Sequence, residues 1–104
     1  MQAVLVAKYD VYPSPAGAGY VLDVQTDLLS DLNTRVVVPL LPLSEAPKAA
    51  DRLNPVFEIG GEPHVMVTQF LSAIPQSALN QPISNVSARF DDITAALDMV
   101  FQGF

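Results

Sequence analysis

The sequence predicts a mostly antiparallel β protein, a small barrel or paired sheets, closed by one C-terminal helix. Three observations carry that prediction. Short runs rich in β-branched and other apolar residues recur along the chain, with proline and glycine between them. Gly60-Gly61 separates two such runs as a two-residue hairpin turn, because both central positions of a type I′ turn need positive φ. Val86, Phe90, Ile93, Leu97, Val100 and Phe101 fall at three- and four-residue steps, one stripe of a 3.6-period helix.

In chain order, Ala3 to Tyr9 reads as a strand that is apolar on both faces. Asp10 to Gly19 holds Pro13, Pro15, Gly17 and Gly19 and reads as a turn or flexible loop. Tyr20 to Gln25 is a second strand, the hairpin partner of the first. Thr26 to Thr34 is polar, with Leu28 and Leu29 embedded in it. Arg35 to Leu40 carries the run Val36-Val37-Val38, ended by Pro39. Leu41 to Asn54 contains Pro42 and Pro47 and reads as an excursion with at most a short helical turn.

Pro55 to Ile59 and Glu62 to Phe70 are the two strands of the Gly60-Gly61 hairpin, with Pro63 near a strand start where a missing N–H is tolerated. Ile74 to Pro82 reads as a loop. The closing helix spans Val86 to Phe104, with Ser84, Asn85 and Ser87 as candidate N-caps. Asp91 and Asp92 suit the positive end of its dipole. Its end, Phe101-Gln102-Gly103-Phe104, admits two readings. In one the helix docks on the core with Gly103 as C′ and Phe104 folded back. In the other the aromatic end is a free tip that engages a partner.

The 104 residues suit one domain, 1–104, able to bury about 60–68% of its unfolded surface. Half the residues are hydrophobic and 15% charged, which marks a packed protein rather than a disordered one. Absence of cysteine removes disulfides and thiolate metal sites. A net charge of −6 repels nucleic-acid phosphates and favours a basic partner. The N-terminal run has no basic leader, and no apolar run nears the ~20 residues of a membrane span, so a cytoplasmic location without membrane contact is expected.

Candidate chemistry is sparse. His64 is the sole histidine and reads as a surface or hydrogen-bonded strand residue. A Ser/His/Asp triad lacks any nucleophile elbow. Asp23, Asp27 and Asp31 recur every four residues, as carboxylates around a divalent cation do, but the spacing crosses a strand end and no EF-hand loop is present. Gly17-Ala18-Gly19 joins two strands and is a turn, not a phosphate cradle. Arg35, Arg52 and Arg89 are too scattered for a nucleic-acid face. These residues suit a binding module better than an enzyme, and no cofactor or metal is expected.

Several stretches resemble the CcdB toxin family. Leu22-Asp23-Val24-Gln25-Thr26-Asp27-Leu28-Leu29 followed by Arg35-Val36-Val37-Val38-Pro39-Leu40 looks like the first half of that family. Leu53-Asn54-Pro55-Val56-Phe57-Glu58-Ile59-Gly60, Met66-Val67-Thr68 and Ala73-Ile74-Pro75 look like the second half. Asp92-Ile93 and Leu97 through Phe104 resemble its terminal helix and tail. Each motif alone is weak; their order, spacing and shared end point are specific.

The resemblance implies an SH3-like antiparallel barrel with a C-terminal helix, assembled as a symmetric homodimer whose two tips suit a two-fold partner. It implies a toxin that binds the A subunit of DNA gyrase, traps the DNA-cleaved complex and performs no bond chemistry itself. A cognate antitoxin would neutralise it through a disordered C-terminal segment. The two would bind operon DNA together for transcriptional autoregulation, the antitoxin supplying the basic surface. Carried onto matching positions, the gyrase-facing residues are Thr26, Leu28, Leu29, Asp98, Phe101, Gln102, Gly103 and Phe104.

Phe101 and Gly103 match the family's types, whereas Gln102 stands where gyrase-poisoning members have a tryptophan stacked on a gyrase arginine. Its lack of a π-face forfeits a cation–π contribution of about 0.5–2 kcal/mol. Asp98 replaces an uncharged asparagine and could pair with a gyrase arginine, and Phe104 replaces a smaller isoleucine. The alternative is a dimer of this fold that binds antitoxin without poisoning gyrase. An endoribonuclease of the same fold is a third reading, supported by fold analogy alone and opposed by one histidine and net negative charge.

Overall fold

The computed structural model describes residues 7–47 and 50–103. Strands β1 (Asp10–Pro13), β2 (Tyr20–Asp23), β3 (Thr34–Pro42), β4 (Val56–Ile59), β5 (Glu62–Met66), β6 (Ser72–Pro75) and β7 (Ser84–Asn85) form one seven-stranded sheet. Every pairing is antiparallel, in the order β4-β5-β3-β2-β1-β7, with β6 also on β3. The sheet is barrel-like and nearly closed, and one helix, α1 (Phe90–Gln102), follows it. The mostly β prediction with a C-terminal helix therefore holds.

The nine-residue β3 organises the sheet. One side pairs with β2 along Val37–Leu40. The other pairs with β6 along Thr34–Val37 and then with β5 along Leu40–Pro42. Pro39 was expected to end this strand, and it does not. Its carbonyl accepts the Val67 N–H on the side away from β2, between the start of β6 and the end of β5. The N–H that proline lacks would face that gap, where no ladder bond is lost.

The central strands β1, β2 and β3 send buried side chains to both faces of the sheet. Val11, Leu22, Val38 and Leu40 join Phe57, Ile59, Met66, Ile93 and Ala96 in the larger cluster. Tyr12, Val21 and Val37 point the other way and pack with Leu79 and Ile74. The run expected to be apolar on both faces was Ala3 to Tyr9. Residues 1–6 lie outside the described residues, and Ala7 to Tyr9 form a turn, with Tyr9 at φ 74°. The strand falls instead on Asp10–Pro13, which had been read as loop. Pro13 is tolerated there because it is the last strand residue, and full burial of Val11 and Tyr12 stabilises the pairing with Val21 and Leu22.

Gly60 and Gly61 adopt φ of 62° and 80°, as the hairpin between β4 and β5 requires. Gly19, at φ +83°, ends the β1–β2 loop where a Cβ would lie 2.6 Å from the Leu40 carbonyl oxygen. Gly19→Ala combines left-handed backbone strain with a backbone clash. It is expected to lose about 1–3 kcal/mol, read as a lower urea midpoint with an unchanged m value. Two further elements depart from expectation. Ile74 and Pro75, read as the start of a loop, belong to β6, which pairs with Thr34–Val37, and the Leu41–Asn54 excursion starts later, after Pro42.

Tyr12 is fully buried, and its hydroxyl donates to Asp10 Oδ2 at 3.4 Å. Burial pushes its pKa well above the ordinary phenol value, and the charges of Asp10 and Asp23 add to the rise. The folded state therefore holds this proton more tightly than the unfolded chain, whose phenol titrates near ~10. The stability linked to it is complete below ~10 and falls as pH rises from there towards the folded pKa. In an alkaline titration followed by phenolate absorbance, part of the signal is expected to appear only with unfolding. Tyr12→Phe is expected to remove that part.

Candidate partner-binding surface

Two of the sequence-predicted segments carry exposed apolar side chains. The first is the 3-10 turn Asp27–Leu29, which leaves β2 and leads towards β3. Thr26 caps it, its Oγ1 accepting the Leu28 N–H at 3.3 Å. Leu28 is 91% exposed and Leu29 46%, although Val24, just upstream, is in the core. A tight turn of three residues cannot return both leucine side chains to the sheet, so they are presented outward.

Beneath this turn lies a buried polar network. Arg35 Nε donates to Asp23 Oδ2 at 2.7 Å, and both side chains are fully buried. Arg35 Nη2 donates to the Gln25 carbonyl at 3.3 Å and lies 3.9 Å from Asp27 Oδ1. The Gln25 side chain bridges the turn to β3, its Nε2 donating to the Leu29 carbonyl at 3.2 Å and its Oε1 accepting the Val36 N–H at 3.0 Å. Asp23 Oδ1 accepts the Gln25 N–H, and Asp27 Oδ1 accepts the Lys8 N–H at 2.8 Å. Burial pushes the Asp23 carboxyl up, against the opposing pull of Arg35 and the Gln25 N–H.

The sequence pattern missed this network. Arg35 read as one of several scattered arginines, and Asp23, Asp27 and Asp31 as a possible carboxylate series. The structure separates that series, since Asp23 faces Arg35 in the interior while the Asp27 carboxylate is 63% exposed. One signal was available. A charged residue near the start of β3 and another at the end of β2 lie diagonally across an antiparallel pair, Asp23 being opposite Val37.

The second segment is the end of α1. Ile93 and Ala96 are fully buried and dock the helix, with Leu97 partly buried beside them. No side chain caps the first turn. Of the candidate caps, Ser84 and Asn85 lie in β7, and Asn85 Oδ1 accepts the Ser87 N–H in the preceding 3-10 turn. Arg89 lies over the Phe57 ring at 4.1 Å and donates to the Val56 carbonyl at 2.6 Å, fixing the helix entry on β4. At the other end Gly103 adopts φ 80° and its N–H donates to the Met99 carbonyl at 3.1 Å, a left-handed helix stop.

The helix is thus docked through its middle, while Phe101 is 69% exposed and Gln102 and Gly103 are exposed beside it. Asp98 is half-buried one turn earlier. Phe104 lies outside the described residues. No hydrogen bond or ion pair among the described residues joins the Thr26–Leu29 segment to this helix end. His64 is buried, its Nδ1 2.9 Å from the Glu62 carbonyl and its ring edge-on to Tyr20. Since a carbonyl only accepts, Nδ1 carries the proton.

A family model described as CcdB protein matches residues 8–103, and the chain belongs to the CcdB family. Membership places it among the toxins of toxin–antitoxin pairs. Among the described residues, no helix is long and apolar enough to cross a membrane.

Proposed function

We propose that this protein is a toxin that binds the A subunit of DNA gyrase and traps the DNA-cleaved complex. Contact runs through Thr26, Leu28 and Leu29 on one segment and Asp98, Phe101, Gln102, Gly103 and Phe104 on the other. The observation that carries the reading is the exposure of Leu28 (91%) and Phe101 (69%) at positions where the family resemblance puts gyrase contacts. Aromatic side chains such as Phe101 are enriched in binding interfaces, and an exposed leucine adds apolar area that a partner can cover. The protein acts by occupancy and not as an enzyme. It works as a cytoplasmic homodimer, the cognate antitoxin relieves it through a disordered C-terminal segment, and DNA is met only through the antitoxin complex.

Calorimetric titration of the A subunit of host gyrase tests this. Saturable binding at one toxin dimer per gyrase dimer is expected. Absence of heat with a folded toxin contradicts it. Sedimentation at micromolar concentration checks the assembly, where a dimer mass is expected and a monomer mass would refute it. Gln102 is exposed and has no aromatic face, which favours one second reading, a dimer that binds antitoxin without poisoning gyrase. Trapping of cleaved DNA by host gyrase separates the two, since that dimer takes up antitoxin but traps none.

A further inference from the structure

We propose that Arg35 is the positioning residue of the Leu28–Leu29 surface, its buried guanidinium fork holding the turn in one geometry for the partner. The inference rests on the reading that this surface meets gyrase. Three atoms of the turn region lead to one side chain or its neighbour. The Gln25 carbonyl accepts from Arg35 Nη2, the Asp27 carboxylate lies 3.9 Å from the same nitrogen, and the Leu29 carbonyl accepts from the Gln25 side chain. Asp27 in turn receives the Lys8 N–H, so the chain entering β1 is tied to the same point.

Among the described residues, the other ties of the turn are the Lys8 N–H to Asp27, the Gln25 side chain to the Leu29 carbonyl and bonds within the turn itself. The turn contributes no buried residue of its own, and Leu28 is nearly as exposed as in an extended chain. A segment with so little apolar burial is ordered by its polar ties or not at all. The arrangement is also a poor choice for stability alone. Arg35 is fully buried, yet its Nη1 has no hydrogen-bond partner among the described residues, and an apolar pair of similar volume would avoid that cost. The geometry of the fork is what an apolar pair cannot supply. Lysine cannot supply it either, because a point ammonium cannot reach Asp23 and the Gln25 carbonyl in one plane.

Arg35→Lys separates positioning from simple ion pairing. A purely structural ion pair is rescued by lysine, whereas a positioning fork is not. In the full-length variant, backbone amide order parameters of residues 26–32 are expected to fall from about 0.85 towards 0.6 or below, with the β-strand values unchanged. If one tenth of the molecules then hold the competent turn, apparent affinity for the A subunit falls about tenfold. Wild-type order parameters and affinity in Arg35→Lys overturn the proposal.

Should Arg35→Lys fail to fold, the double variant Asp23→Leu/Arg35→Met replaces the pair by apolar residues and gives the same two readouts. A loosened turn on an intact sheet supports the proposal, and an ordered turn refutes it. If the wild type itself shows no affinity for the A subunit, the gyrase reading falls, and the order parameters alone still decide whether Arg35 positions the turn.

Discussion

Phe101→Ala is expected to weaken binding to the gyrase A subunit by about 2 kcal/mol or more, roughly thirtyfold in Kd, with little change in thermal stability. The separation follows from where the helix is held. Ile93 and Ala96 are fully buried and dock α1 on the sheet, while Phe101 is 69% exposed. Truncating Phe101 removes side-chain area that only a partner covers. Ile93→Ala is the contrasting control, because it opens the core and is expected to lose about 2–5 kcal/mol of stability. Calorimetric binding and thermal unfolding on both variants distinguish the cases. Leu28→Ala is expected to resemble Phe101→Ala, and Gln102→Trp to gain about 0.5–2 kcal/mol from a restored ring face over a cation. Unchanged affinity in Phe101→Ala would remove the helix end from the binding surface.

Arg35→Met alone is expected to lose about 3–5 kcal/mol of stability, since it leaves the Asp23 carboxylate buried and unpaired. Asp23→Leu/Arg35→Met is expected to recover most or all of that loss, because the unpaired charge is gone and the volume is filled. Urea denaturation at pH 7 reads both. The pH dependence has a definite sign. Burial already pushes the Asp23 carboxyl up, and removing the cation pushes it further. The folded variant then binds a proton more tightly than the unfolded chain, whose aspartate titrates near ~3.9. Stability of Arg35→Met relative to wild type is therefore expected to rise as pH falls from 7 towards ~4. A deficit that stays constant or grows on acidification would show that Asp23 is not left charged.

The fold was legible where local chemistry and tertiary demand agree. Gly60-Gly61 could only be a turn needing positive φ and was read in place; the stripe ending in Phe101 is a helix as expected, but it starts at Phe90 rather than Val86, after a 3-10 turn at Ser87–Arg89. The first strand was misplaced because proline and glycine signals between Asp10 and Gly19 outweighed the two residues, Val11 and Tyr12, whose complete burial makes the strand. Pro39 was read as a terminator because a sequence does not show that β3 changes partner at that point. Ala96 was absent from the expected stripe although it is fully buried, since a small residue marks close helix packing only once the sheet beneath it is known.

Of the candidate surface, the exposed leucines and Phe101 were nameable from the resemblance. The network under them was not, because Asp23 and Arg35 lie twelve residues apart and meet only through the β2–β3 pairing. Charge that reads as solvated in a linear pattern is here the interior support of the exposed turn.

The most direct test of the gyrase reading is a DNA-cleavage assay with this protein and the gyrase of its own host, run with and without the cognate antitoxin. Trapped linear DNA that disappears when antitoxin is added is the predicted result, and it would show that Gln102 suffices where the resemblance implies tryptophan. Intact DNA in the presence of folded, dimeric protein would contradict the gyrase reading and leave antitoxin binding as the function to pursue.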